Sequence, residues 1–224
     1  YTSVRRLGAF AEYACTAEDR VYPIADGITF EQAACLPIAG LTALQSLRDH
    51  GKIAAGKKVL INGASGGVGH FAVQIAKIFG AEVTAVTSGR NIEFVKGLGA
   101  DRVIDYVKED FTKGSGQYDL VFDAVSIRSF GVCKRVLTPA GIYVNTLPNA
   151  TIVVQLITSL LPGKKARSMW VKPNESDIAW MMVQIKAGKI RIVIEQAYPL
   201  DRITDALAAS EAGRTRGKIV VSVG

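Results

Sequence analysis

Histidine and cysteine are scarce in this chain, with two histidines and three cysteines among 224 residues. Cys15, Cys35 and Cys133 lie far apart, and no Cys-x-x-Cys pair or Cys/His cluster gathers them. That spacing argues against a disulfide framework and a local zinc site, and it predicts a reducing, cytoplasmic setting. Long apolar runs are also missing. A membrane-spanning helix needs about 18 consecutive apolar residues. The longest stretch, Ile152 to Leu161, contains Gln155, Thr158 and Ser159 and stops at Pro162, which predicts a buried or interface helix. An initiator methionine is absent. Tyr1 to Leu7 read as the interior of a longer protein, so no signal or targeting segment is read. Acidic residues are outnumbered, 20 against 27 basic, for a net charge of +7. A nucleic-acid binder would cluster its cations with aromatics. Only Lys164-Lys165-Ala166-Arg167 and Arg214-Thr215-Arg216-Gly217-Lys218 are dense here, so nucleic acid is excluded and a small anionic ligand fits the excess.

Apolar residues make up 49% of the chain, enough for a sizeable core in one large or two modest domains. From Val59 onward, strands and helices alternate. Strands are predicted over Val59–Asn62, Glu82–Thr87, Arg102–Tyr106, Tyr118–Ala124 and Ile142–Thr146, with a sixth over Met169–Lys172. Helices are predicted over Gly67–Phe79, Asn91–Leu98, Ser129–Leu137 (closed by Pro139 and Gly141) and Glu175–Ala187. This alternation implies a doubly wound α/β fold, a parallel sheet covered on both faces with ligands at the carboxyl ends of its strands. The ends differ. Gly8 to Tyr13, Ile192–Ala197 and Lys218–Val223 read as strands around a helix at Asp205–Ala212. They fit a second domain, so the expected division is 1–25, 26–189 and 190–224.

The most informative stretch is Val59-Leu60-Ile61-Asn62-Gly63-Ala64-Ser65-Gly66-Gly67-Val68-Gly69-His70. A strand enters a glycine-rich turn that opens a helix, the arrangement that binds a dinucleotide pyrophosphate. The alternative is a glycine-rich turn without a ligand. Alanine stands at the first glycine of the usual Gly-x-Gly-x-x-Gly pattern, tolerable where φ is negative. The next strand ends Thr87-Ser88-Gly89-Arg90-Asn91, without the carboxylate that holds a ribose 2′-OH. Ser88 and Arg90 suit a 2′-phosphate, which favours NADP(H). Arg90 read as a merely solvated side chain is the alternative.

With these residues in view, the chain resembles the medium-chain dehydrogenase/reductase superfamily. More narrowly, it is similar to the zinc-free quinone oxidoreductase branch that includes zeta-crystallin and the plant chloroplast-envelope and alkenal reductases. The resemblance rests on Gly8 to Tyr13, Ala33 to Ala43, Ala64 to Gly69, Asn91 to Tyr106 and Gly217 to Val221. It implies a Rossmann domain flanked by parts of a GroES-like substrate domain whose longer N-terminal portion precedes Tyr1. It also implies roles: Ser65, Gly66, Gly67 and Val68 at the pyrophosphate, Ser88 and Arg90 at the 2′-phosphate, and Tyr106 near the adenosine phosphate. Thr42, Thr146 and Leu147 would border the nicotinamide. Lys218 is a further cofactor candidate, with a solvated strand-edge lysine as its alternative. Zinc-dependent relatives hold a cysteine ligand where this chain has Ile38, and Cys35 reads as a buried helix residue, so no metal is expected. His70 follows the phosphate loop and reads as a packing residue rather than a base. No catalytic acid is named.

The expected activity is NADPH-dependent hydride transfer to quinones or to activated alkenes such as α,β-unsaturated carbonyls. An enoyl-thioester reductase and a non-catalytic NADPH-binding protein are the alternatives. A homodimer joined through the sixth-strand region, where Ile142–Val144 and Met169–Val171 would form an apolar edge, is also expected.

Overall fold

The computed structural model describes residues 9–18, 21–114, 117–147 and 151–223. The first helices gather small and branched residues under the sheet. α1 (Phe30–Ala34) starts at a capping box between Thr29 and Gln32, and α2 (Leu41–Gln45) lies between two wide π-helical turns, Leu36–Gly40 and Ser46–His50. Then the alternation begins: β1 (Lys58–Asn62), α3 (Gly69–Ile78), β2 (Glu82–Thr87), α4 (Ile92–Lys96), β3 (Arg102–Asp105) and β4 (Tyr118–Asp123). It continues with α5 (Phe130–Cys133), β5 (Leu137–Asn145), α6 (Thr151–Leu160), β6 (Lys165–Ser168) and α7 (Glu175–Lys186). β1 to β6 form one parallel sheet in the order β3-β2-β1-β4-β5-β6. This is the Rossmann order, and the chain reverses direction between β1 and β4.

The pleat explains the two-sided core. Val59 and Ile61 of β1, Val83 and Ala85 of β2 and Leu120 and Phe122 of β4 pack on one face with α2, α3 and α7. Leu60, Val86, Val121 and Tyr143 pack on the other, with Phe111 and Cys133. Successive side chains point to opposite faces. A sheet covered on both faces therefore reads as an unbroken apolar run, as Val59-Leu60-Ile61 does.

Beyond α7, β7 (Ile194–Pro199), α8 (Ile203–Glu211) and β8 (Lys218–Ser222) make a small unit, in which β7 and β8 pair in parallel. It is fastened to α3. Gln74 forms two hydrogen bonds with the Arg191 backbone, giving its Nε2–H to the carbonyl and accepting the N–H on Oε1.

Several expectations need correction. The sixth strand is Lys165–Ser168, earlier than Met169–Lys172. Met169 is buried and Val171 packs on the protein's own core, so neither offers a free apolar edge. The helix expected over Ser129–Leu137 is the single turn Phe130–Cys133. β5 begins at Leu137 and carries Pro139 past an irregularity in its pairing with β4. The break in register accommodates a proline that cannot donate to a ladder. Ala9 to Tyr13 are exposed and form no strand among the described residues, and Gly8 lies outside them.

The strand-to-helix turn is tight at one glycine and open at another. A Cβ on Gly69 would sit 2.1 Å from the Gly63 carbonyl oxygen, whereas one on Gly66 would meet only that oxygen, at 3.5 Å. Gly69→Ala is therefore expected to destabilise the protein by about 3 kcal/mol or more, since backbone must move to admit it. Gly66→Ala should leave the melting temperature unchanged. Thermal denaturation of the two variants checks both outcomes.

Candidate functional site

At the carboxyl edge of the sheet, the ends of β1, β2 and β4 open onto a cavity of about 540 Å³. Five expected residues line it: Ser65, Gly66, Ser88, Arg90 and Tyr106. Their arrangement follows from a few side chains buried behind them. Asn91 gives its Nδ2 hydrogens to Ser65 Oγ (3.0 Å) and Ser88 Oγ (3.3 Å), and its Oδ1 accepts from Arg216 Nε at 2.6 Å. Thr87 Oγ1 also donates to Ser65 Oγ, at 2.9 Å. Two donors already aim at Ser65, which leaves its own hydroxyl proton for a third partner. The positive φ of the turn falls on Gly63 (+79°), not on Ala64.

A strap from the C-terminal unit closes this end. Arg90 Nη2 donates to the Arg214 carbonyl at 2.5 Å, Arg216 Nη2 to the Arg90 carbonyl at 3.0 Å, and Gly217 N–H to the Ser65 carbonyl at 2.9 Å. Arg214 and Thr215 join the cavity wall. In the sequence Arg214 and Thr215 stand out only as part of a basic cluster, of which Lys218 alone is a cofactor candidate. One carboxylate beside the end of β2 comes from β3. Asp105 Oδ1 accepts the Val107 N–H at 3.1 Å, and Oδ2 lies 2.7 Å from where a Cβ of Gly89 would stand. It is outside the cavity wall, to which Glu109 and Asp110 of the following segment contribute.

The other expected residues are placed around this core. Gly67 sits under the Lys218 side chain, whose Cδ would lie 3.2 Å from a Cβ there. Val68 precedes α3 and packs on the main core. Thr42 is buried in α2. Thr146 and Leu147 follow β5, beside the loop that leaves β4. Thr42, Thr146, Leu147 and Lys218 are not in the wall of the large cavity.

His70 does not face the cavity. It is buried, with Nδ1 3.1 Å from the Gly66 carbonyl and Nε2 accepting the Val193 N–H at 3.5 Å. A neutral ring with Nδ1–H satisfies both contacts, and burial pulls its pKa down to about 4. Cys35 is equally enclosed. Its thiol points at the Glu31 carbonyl, and burial raises its pKa to about 11, so it is no nucleophile. Ile38 is 57% exposed. Among the described residues no three His, Cys, Asp or Glu side chains gather at metal-binding distance.

Whether these residues fit a dinucleotide is tested by the turn itself. Gly66 has open space where a side chain would stand, so its lack of one is not a demand of the fold. That space adjoins the cavity and the start of α3, where the His70 N–H is taken by the Gly66 carbonyl at 3.0 Å and the helix end offers its partial positive charge. Ser65, Ser88 and Arg90 present donors to the same space. The residues fit the pyrophosphate of a dinucleotide.

Such a sheet, turn and cavity define the dinucleotide-binding domain of an oxidoreductase. The zinc-binding dehydrogenase family profile matches residues 98–221. The chain is 38% identical to a chloroplast envelope quinone oxidoreductase homolog of Arabidopsis thaliana, over 96% of this chain and 68% of that protein. It is 33% identical to a 2-methylene-furan-3-one reductase of Solanum lycopersicum, over 97% of this chain and 53% of that one. The solved quinone oxidoreductase of Coxiella burnetii superposes with a TM-score of 0.83 at 32% identity, over 93% of this chain and 65% of the other. The chain thus spans about two thirds or less of the length of these relatives. It belongs to the medium-chain dehydrogenase/reductase superfamily, with the quinone oxidoreductases.

His70 makes stability depend on pH in a definite direction. An unfolded histidine binds its proton near pH 6.5, whereas the folded His70 holds one only below about 4. Between these values the unfolded state binds more protons. The contribution is complete above pH 6.5 and is lost as pH falls through 4, by roughly 3 kcal/mol. Urea unfolding at pH 7, 5 and 4 should show this loss, and His70→Gln should flatten that part of the profile.

Proposed function

We propose that the protein is an NADPH-dependent oxidoreductase that passes hydride to quinones or activated alkenes and works without zinc. One observation carries the reading. A single cavity joins the Ser65–Gly66 turn to Ser88 and Arg90, and the end of β2 supplies no carboxylate to repel a 2′-phosphate. NADPH, when bound, supplies the hydride. The chain's own groups do the rest. The amino end of α3 and the Ser65 hydroxyl hold the pyrophosphate, and Arg90 with Ser88 holds the 2′-phosphate. Tyr106 flanks the adenosine, and Lys218 lies over Gly67 at the phosphates. Thr42, Thr146 and Leu147 line the nicotinamide end. The protein then acts chiefly by positioning. The printed names of the relatives, a quinone oxidoreductase homolog and a furanone reductase, support this acceptor class. We assign 26–189 to the cofactor domain and the flanking segments to a substrate domain, and we propose a cytosolic setting on the scattered cysteines alone.

The deciding experiment is NADPH oxidation by the full-length protein across quinones, enones and enoyl thioesters. Turnover is expected with the first two. Turnover with thioesters alone would favour an enoyl reductase, and tight NADPH binding with no turnover a non-catalytic role. Within that assay, Arg90→Ala should weaken NADPH by about 1.5–3 kcal/mol and leave NADH nearly unchanged, the loss typical of a hydrogen bond to a charged group. Equal losses for both cofactors would remove the NADPH assignment.

We further propose a homodimer, with the contact moved from the expected strand to α6. Ile152, Val153, Leu156, Ile157 and Leu160 are exposed along this helix, Leu156 at 66% and Leu160 at 87%, beside the sheet-edge strand β6. Burying them against a second copy removes apolar surface from water. Light scattering at micromolar concentration should give a dimer, and Leu156→Asp a monomer. A monomeric wild type would overturn this.

A further inference from the structure

Ser126 is one of two described non-glycine residues with positive φ, at +58°. A left-handed backbone costs an ordinary residue on the order of 1–2 kcal/mol, and it persists where surrounding structure demands it. The demand here is visible. Asp123 Oδ1 accepts the Ser126 N–H at 2.9 Å and so fixes the turn. The turned backbone then aims the Ser126 hydroxyl across the gap to the end of β5. There Oγ accepts the N–H of Thr146 at 3.0 Å and of Leu147 at 3.1 Å. Thr146 Oγ1 completes the link by donating to the Ala124 carbonyl at 3.2 Å. One side chain thus ties the loop leaving β4 to the segment leaving β5. Its neighbours in sequence, Val125 and Ile127, both line the large cavity.

We propose that Ser126 is a positioning residue for the nicotinamide end of the site, an inference that rests on the functional reading above. It holds the 146–147 backbone at a fixed height over the sheet, and the cofactor ring takes its distance to the acceptor from that backbone. Glycine would take the same φ without cost but has no hydroxyl. Alanine would keep the strain and also lose the hydroxyl, leaving two backbone donors without their acceptor. The oxygen, not the turn, is the reason for a serine here.

The two substitutions separate the effects. In the full-length protein, Ser126→Gly should melt at the wild-type temperature or above it, because relief of the backbone offsets the lost hydrogen bonds. Its kcat for NADPH oxidation should nevertheless fall about tenfold or more, since small misplacements of reacting groups are costly. Ser126→Ala should lose the same activity and melt lower. Binding of 2′,5′-ADP, which occupies only the adenosine end, should stay within about twofold of wild type in both. A role confined to folding would move kcat and melting temperature together. Wild-type kcat in Ser126→Gly would overturn the proposal, as would an equal loss of 2′,5′-ADP affinity. A wild-type protein that binds neither NADPH nor 2′,5′-ADP would remove the functional reading, and the positioning role with it.

Discussion

The carboxylate of Asp123 is fully buried at the carboxyl end of β4, and it is surrounded by donors. The Asn62 amide reaches Oδ1 from β1 at 2.8 Å, beside the Ser126 N–H, and the Arg128 N–H reaches Oδ2 at 2.9 Å. A buried carboxylate is tolerable only when its lone pairs are filled in this way. The consequence is geometric. β1 and β4 are neighbours where the strand order reverses, and that reversal opens the crevice. The Asn62–Asp123 bond clamps the two strand ends, and both loops that border the cavity hang from it. Tyr143 fills the space behind, donating to the Arg128 carbonyl at 2.5 Å while burial raises its own pKa.

A second knot, around Asn91, orders the opposite side of the crevice. It spans three distant stretches: the glycine turn through Ser65, the end of β2 through Ser88, and the C-terminal strap through Arg216. Neither knot was legible in the sequence. Asn91 reads as a helix start and Asp123 as one residue of the apolar strand expected over Tyr118–Ala124, because partners brought together by the fold leave no spacing signal. The parallel sheet was legible, since two-sided burial produces apolar runs that periodicity detects. So was the glycine turn, where local geometry dictates residue type.

The misreadings share a cause. Lys165–Ser168 carries two cations and stands out in the sequence only as part of a basic cluster, yet it is the edge strand, where one free side tolerates charge. Met169 to Lys172 looks like a strand because it is apolar, but Met169 and Val171 pack into the main core while Trp170 is exposed. In the same way Pro139 and Gly141 appear to end a helix, while the structure places both inside β5. Composition alone could not separate an irregular strand from a helix stop, because the bulge that admits the proline depends on β4 lying alongside.

The strap also sets an order of events during synthesis. The glycine turn leaves the ribosome early, but the Ser65 carbonyl finds its partner, the Gly217 N–H, only about 150 residues later. At roughly 5–20 residues per second, that is a delay on the order of ten seconds or more. For nearly all of that interval Arg216 is not yet present to meet Asn91, and for most of it the Val193 N–H is not there to meet His70. The nascent sheet can collapse around its apolar strands, but its ligand crevice has one wall still unmade. Long-range contacts of this kind are slow to form. The strap at Arg214–Gly217 thus acts as the closing stitch of a site whose glycine turn is translated about 150 residues before it.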